Sequence, residues 1–436
     1  MICAHEITSI HYGGILTKHI LHIFFLITII QSRQFEIIPQ TKKLEFGAYG
    51  EIAYRHFDYG PNQKASVNGS LPDSRAEVDI PRFALKLESY FTEDIYLEAE
   101  VEFEHLGTGS SLELEYEEFG EYEFESEKGG EVLLEELHIT KEFSEGISAR
   151  FGRLIVPVGL LNVAHLPTDY FTSVESESET RLTPSVWSEN GLEIFGQLSN
   201  SFKYKALIVN GLESTGFSSE KWITEGHQVK FETIKATNLA FVLRLDMDVI
   251  QDFTFGVSGY YGNTSRNRPK PEDMDDVDGN VGIGDFHAVY NDGDLITRGL
   301  VQYGHLENSD IISQKNSSIS RNIQAPRTPV AEGALLYYIE AGYNILKFFD
   351  DTTSWKLFPF GRYEYYNSME QVAGTVFADP RFKRNILTFG LNLFVLPNLV
   401  LKADYSMRNV GGFNSNYNDE NTFGLSIGFY DWFVEF

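Results

Sequence analysis

Along residues 95–106 the side chains alternate without a break. Ile95, Leu97, Ala99, Val101 and Phe103 fall on one face, and Glu98, Glu100, Glu102 and Glu104 on the other. A period of two is the signature of a strand. The same alternation sets Leu239, Phe241, Leu243 and Leu245 against Arg244, Asp246 and Asp248 in 237–248. In 384–395, Leu387, Phe389, Leu391 and Leu393 oppose Arg384, Thr388 and Asn392; in 202–210, Phe202, Tyr204, Ala206 and Ile208 oppose Lys203 and Lys205. Extended along the chain, the pattern predicts strands at 44–58, 80–91, 95–106, 131–142, 147–155, 190–197, 202–210 and 237–248. Eight more are predicted at 253–263, 285–290, 295–306, 332–345, 355–367, 384–395, 400–409 and 421–436.

The connections alternate too. Short turns such as Phe91-Thr92-Glu93-Asp94, Phe143-Ser144-Glu145-Gly146 and Leu396-Pro397-Asn398-Leu399 alternate with long polar loops. Such one-sided loop asymmetry, with an even strand count and one apolar face, predicts an all-β, sixteen-stranded antiparallel transmembrane β-barrel. Lipid on the apolar side is the arrangement that keeps four carboxylates of one strand out of hydrocarbon. About sixteen strands leave a water-filled lumen, so the inward face is expected to be wet and charged. Trp355 and Trp432 fall at short-turn ends, where an aromatic girdle belongs. Tyr430, Trp432, Val434 and Phe436 share one parity and form the expected signal for the barrel-assembly machinery. Phe423, Leu425, Ile427 and Phe429 have the other, which a bulge near Phe429 would reconcile.

Mean hydropathy is -0.22 with 14% aromatic residues, and no stretch after the N-terminus approaches a membrane-spanning apolar helix. The apolar core Ile20–Ile30, preceded by Lys18-His19, reads as a secretory signal peptide over 1–32, with a start near Leu16 and cleavage near Ser32. A lead-in of 33–43 precedes the barrel at 44–436. The single Cys3 lies ahead of the mature chain, which suits passage through an oxidising compartment. The net charge of -28 argues against nucleic-acid binding. Nine Glu and one Lys lie between Glu113 and Glu131, a solvated surface or a screen at the outer rim.

One connection differs. Residues 156–189 mix apolar side chains with Pro and Gly, a composition that argues for a folded loop. The stretch Arg150-Phe151-Gly152-Arg153-Leu154-Ile155-Val156-Pro157-Val158-Gly159 resembles the RFG-x-x-x-x-P-x-G segment of the phosphate-selective porin O and P family. Glu179-Thr180-Arg181-Leu182-Thr183-Pro184-Ser185-Val186-Trp187-Ser188-Glu189-Asn190-Gly191 resembles the same family's ET-x-L-x-P-x-x-W-x-E-x-G spacing. The resemblance implies a homotrimer of sixteen-stranded barrels in the outer membrane, each with its third loop folded inward as a constriction. It also implies an arginine and lysine lining in anion-selective members. Alternation turns Arg150 inward; Arg153 faces lipid unless the chain bends at Gly152. Arg181, Lys203, Lys205, Arg244, Arg362 and Arg384 complete the pore-lining candidates. The carboxylate ladder Glu98–Glu104 departs from an anion-selective pattern, since rings of charge set ion preference.

Enzymatic and metal chemistry find little support. His105, His138 and Glu136 lie on strands with no convergent partner readable from sequence. The run Asp273–Gly279 puts Met274 where a calcium loop needs its first ligand. The expectation is a passive porin for small hydrophilic or ionic solutes, phosphate and other anions among them, with no cofactor. The alternative is an outer-membrane adhesin that binds through the acidic loops.

Overall fold

The computed structural model describes residues 43–61, 72–105, 109–114, 124–228, 233–274, 276–319, 328–349, 353–412, 417 and 419–435. The signal-peptide segment and Phe436 lie outside them. In chain order the strands begin β1 (Leu44–Pro61), β2 (Pro72–Asp79), β3 (Arg82–Thr92) and β4 (Ile95–Glu104). A hairpin of β5 (Gly109–Leu114) and β6 (Phe124–Gly129) follows, then β7 (Val132–Ser144), β8 (Ile147–Ile155), β9 (Ser188–Ser199) and β10 (Phe202–Asn210). Next come β11 (Leu239–Ile250), β12 (Phe253–Asn263), β13 (Asn280–Asn291), β14 (Leu295–Leu306) and β15 (Gly333–Tyr343). The last are β16 (Lys356–Gln371), β17 (Lys383–Leu396), β18 (Leu399–Val410) and β19 (Asp419–Glu435).

Every barrel pairing is antiparallel, successive wall strands pair with one another, β4 with β7 across the β5–β6 hairpin, and β19 closes on β1. β2 and β3 both pair with β1, β2 along Ala53–Pro61 and β3 along Leu44–Gly50. They are two halves of one wall strand, interrupted at Ile80-Pro81, where proline offers no N–H to the ladder. The barrel therefore has sixteen staves, with β5–β6 standing apart as its own sheet. The stave predicted at 80–91 begins at Pro72, and the short strand predicted at 285–290 spans Asn280–Asn291. Its Gly282 and Gly284 carry no side-chain signal, which hid its first half.

The outward face is an apolar belt. Phe151 is 71% exposed, Ile339 60% and Phe389 52%, with Phe241, Phe286, Val301 and Leu425 in the same class. A surface this apolar is stable only against lipid or a partner. The last strand corrects the predicted bulge. Tyr430 and Trp432 lie opposite Tyr49 and Gly47, and the register shifts only at Phe433, so Val434 lies opposite Phe46. Val434 thus leaves the face shared by Tyr430 and Trp432.

Candidate functional site

The inward face changes character with height on one side of the barrel. Near the short turns β10 and β11 turn Lys203, Lys205, Arg244, Asp246 and Asp248 inward; nearer the long loops they turn in Leu207, Val209, Ala240 and Val242. β13 follows suit, with His287 and Asp285 giving way to Ile283 and Val281. Leu300 of β14 and Leu336 and Tyr338 of β15 continue the apolar surface. Leu207 is 2% exposed and Val242 3%, values impossible for residues facing open water.

Residues 156–187 cover them. Val156, Val158, Leu160, Leu182 and Trp187 join that wall in one core with Leu212, Phe217, Trp222 and Ile223 of the next long loop and Ile312 and Val330 of a later one. Trp187 packs on Tyr260 at 4.8 Å. Trp222 donates its ring N–H to Ala331 O at 3.1 Å, and its ring fills the space a Cβ on Gly304 would need. Asn162 staples the two ends of the covering loop, donating to Val158 O at 2.9 Å and accepting from Trp187 N at 2.8 Å. Gly159 adopts φ 80°, and a Cβ there would run into the Glu179 carboxylate. This backbone therefore requires glycine.

Polar contacts hold the loop on both sides: Arg244 and Asp285 grip Gly159 on the β10–β15 side, and the remainder of the loop crosses to the opposite wall and is held there by charge. Arg244 donates to Gly159 O at 2.7 Å, and Gly159 N donates to Asp285 Oδ2 at 2.9 Å. Lys402 donates to the carbonyls of Tyr170 and Thr172 at 2.8 and 3.0 Å, and Tyr170 OH donates to Glu51 at 2.8 Å. Arg82 pairs with Glu175 at 2.7 Å, and Arg362 donates to Ser176 Oγ at 2.5 Å. Arg408 and Tyr366 donate to Glu177 at 2.8 and 2.7 Å. Phe171 stacks on Phe360 at 5.2 Å.

Two carboxyls of the short helix Glu177–Leu182, which belongs to no strand, respond to burial in opposite ways. Burial pushes Glu179 up to about 6, although Leu160 N, Leu161 N and Tyr338 OH all donate to it. Burial acts upward on Glu177 as well, but the Arg408 and Arg181 guanidiniums outweigh it and hold that carboxyl below its usual range.

What stays open is a cavity of about 510 Å³ between the loop and one side of the wall. Its strand residues come from β1–β4 and β16–β19 alone among the described residues, joined by Thr172–Glu175, Glu177, Arg181, Glu220, Lys221, Thr224 and Glu225 of the loops. The lining holds eleven carboxylates: Glu51, Asp79, Glu102, Glu104, Glu175, Glu177, Glu220, Glu225, Glu364, Asp404 and Glu420. Six cations oppose them: Arg55, Arg82, Arg181, Lys221, Arg384 and Arg408.

The anticipated pore-lining residues divide accordingly. Arg181 and Arg384 line the cavity, as do Glu102 and Glu104. Arg150 is inward but bound to Glu193 and seated on the Phe195 ring. Arg244 and Arg362 are buried and consumed by the loop and by Asp246, Glu340 and Glu364. Lys203 stands exposed near the short turns, 3.6 Å from Asp248, and Lys205 opposes Arg244 across the strand pair. Arg153 lies opposite Leu137 and Asn190 in the strand register and is not among the residues that line the cavity. Glu98 and Glu100 lie in the wall, bridged by Lys86 at 3.2 and 3.0 Å, and Tyr49 donates to Glu100 at 2.6 Å.

The histidines do find partners. Glu98 and Glu136 converge on His138 at 3.6 and 3.5 Å, and His105 meets Asp79 at 2.7 Å. The Lys86 ammonium, 3.6 Å from Glu136, already supplies a cation there. Met274 is buried in the apolar core. Sequence reasoning missed Arg82, Lys402 and Arg408; the alternation of Leu401, Tyr405 and Met407 against Lys402, Asp404 and Arg408 in β18 would have found two of them.

No family model matches this chain. A protein of Aquifex aeolicus (strain VF5) described as uncharacterized is 27% identical over 371 residues, covering 84% of this chain and 76% of that protein. Among solved structures, OprB of Pseudomonas putida superposes with a TM-score of 0.52 at 10% identity, over 89% of this chain and 94% of that one. Salmonella typhi OmpF, in complex with daunomycin, gives 0.51 at 13% identity, over 88% and 97%. At such identities the likeness is one of fold: a closed sixteen-stranded antiparallel barrel.

Proposed function

We propose that the chain is a passive outer-membrane porin whose aqueous path runs along one side of the lumen. Residues 156–189 form its constriction, and small cations and neutral hydrophilic solutes pass in preference to phosphate and other anions. The observation that carries this reading is the acidic cavity lined by β1–β4 and β16–β19. A carboxylate contributes on the order of 1 kcal/mol to a passing monovalent ion at ~4 Å in bulk water, roughly a fivefold partition effect. Five carboxylates in excess of the cations outweigh the pull of Arg181 and Arg384. The same reading takes 1–32 as a cleaved signal peptide, has the barrel-assembly machinery insert the chain, and has three copies associate. It sets the short turns in the periplasm and the long loops outside. The test is the reversal potential of the refolded protein in a planar bilayer under a KCl gradient, with phosphate added afterwards. Cation preference without phosphate block is expected; anion preference with block at micromolar phosphate refutes the reading.

A further inference from the structure

The covering loop is not gripped evenly along its length. Its two limbs are fixed: Val156, Val158 and Leu160 on one and Leu182 and Trp187 on the other lie in the apolar core. Asn162 ties the limbs together through Val158 O and Trp187 N. Between them residues 164–176 form a strap, and Phe171 is the strap residue that enters an apolar cluster, with Phe358 and Phe360. Strand by strand, this strap reaches nearer the short turns than the open cavity does. In β19 Ser173 and Pro167 crowd Gly424 and Gly428, whereas Glu420 and Thr422 line the cavity. In β18 the strap carbonyls take Lys402, and the cavity begins at Asp404. In β16 Phe171 packs on Phe358 and Phe360, and the cavity begins at Glu364. In β1 His165 lies 5.7 Å from the Tyr49 ring, and the cavity begins at Glu51. The strap is therefore the floor of the cavity along these strands.

The floor is held down by groups that also line the cavity above it. Glu51, Arg82, Glu175 and Asp404 all face that space. Glu51 accepts from Tyr170 OH at 2.8 Å, and Asp404 accepts from Ser173 N. Arg82 pairs with Glu175 at 2.7 Å and donates to His165 O. A solute cation in the cavity meets these same carboxylates. It can take the place of the Arg82 guanidinium on Glu175, or of the O–H and N–H donors on Glu51 and Asp404. The apolar limbs offer such a cation nothing, so they stay fixed while the strap between them is contested.

We propose that residues 164–176 are a gate beneath the cavity, opened by a cationic solute that takes over the carboxylates holding the strap down. With the strap down, Glu51, Glu175 and Asp404 are occupied by protein donors. With the strap released they are free, so an ammonium or guanidinium group binds the released state more tightly and shifts the equilibrium toward it. A neutral solute has no such preference and shifts nothing. The gate rests on the porin reading given above and adds to it a coupling between cavity occupancy and opening.

Single-channel recording in KCl of the full-length protein, refolded and checked by heat-modifiable gel migration, tests it in two arms. A Cβ on Gly424 would lie 3.0 Å from Ser173 Cβ, within reach of a disulfide, and the single native cysteine, Cys3, lies ahead of the barrel. The double variant Ser173→Cys/Gly424→Cys should lose its current on oxidation and regain it on reduction, while Ser173→Cys alone should ignore the oxidant. In the second arm millimolar guanidinium on the long-loop side should raise the open fraction of the wild type several-fold, and urea, its neutral isostere, should not. Glu175→Gln should be open more often from the start and respond less. Equal current in the oxidised and reduced double variant overturns the proposal. So does block by guanidinium without opening, or an equal response to urea. Absence of current in every form, including one with residues 160–185 replaced by a linker, refutes the porin reading itself and the gate with it.

Discussion

The two sides of this barrel are built from the same strand geometry and used differently. On the β10–β15 side the inner wall is apolar above mid-height and buried beneath Trp187, Leu182 and Trp222. On the β1–β4 and β16–β19 side the inner wall carries Glu51, Arg82, Glu364, Asp404 and Arg408, and the loop meets it through ion pairs and carbonyl contacts. The first side is held chiefly by packing, which excludes water, with Arg244 and Asp285 gripping Gly159 nearer the short turns; the second is held by charges that remain compatible with water. This sixteen-stranded barrel thus fills one side of its lumen and leaves a cavity on the other; on the proposed porin reading, the permeation path follows from where side chains stop packing.

The largest effect should follow from replacing residues 160–185 by a short Gly-Ser linker. Both the apolar cover and the charged crossing disappear, and single-channel conductance should rise several-fold; unchanged conductance would show that the loop does not divide the lumen. Next, Trp187→Ala in the filled side should cost about 3–5 kcal/mol, as large-to-small changes in buried aromatics do. Arg82→Gln on the wet side strands Glu175 and Glu51 and should cost up to about 3–5 kcal/mol. The two differ in their second readout. Urea midpoints fall in both, but ion selectivity should change only for Arg82→Gln.

A smaller effect is tied to pH. The Glu179 carboxyl sits near 6 with the loop docked, against an ordinary value of 4.5. The docked loop thus holds this proton more tightly than the undocked one. Its contribution is fully present below pH 4.5 and is lost as pH rises through 6, a span of about 2 kcal/mol. Comparing the urea midpoints of wild type and Glu179→Gln at pH 5 and pH 7.5 checks this; the glutamine variant should lack the dependence, and parallel behaviour would exclude Glu179 as its source. Smallest of all, Arg181→Ala should move the reversal potential toward cations, while Arg150→Ala, locked to Glu193 outside the cavity, should barely move it. Equal shifts would show that the paired arginine is felt in the path.

Sixteen staves and their outward faces were legible because alternation in 95–106, 237–248 and 384–395 is long and uninterrupted. The division of the lumen was less so, although its signal is present. Ala206-Leu207-Ile208-Val209 and Leu239-Ala240-Phe241-Val242-Leu243 lose their polar partners, which is how a strand buried on both faces reads. Taken with Lys203 and Lys205, or with Arg244, those runs passed for ordinary barrel strands. The anchors of the loop were illegible for another reason. Arg82 and Glu175, or Arg408 and Glu177, are partners far apart in the chain, and nothing local marks one arginine of a wall as loop-binding and another, such as Arg150, as a partner of the adjacent strand.

On the proposed porin reading, water and ions travel only along the β1–β4 and β16–β19 side. The single cysteine, Cys3, lies ahead of the barrel, so introduced thiols in the strands report individually. Ser406→Cys on the lining of the open cavity and Val242→Cys in the apolar wall should be exposed in turn to a membrane-impermeant, charged thiol reagent during single-channel recording. Rapid modification and reduced current are expected at position 406, with position 242 unreactive in the folded barrel. Rapid modification and reduced current at position 242 would show that ions also travel along the β10–β15 side.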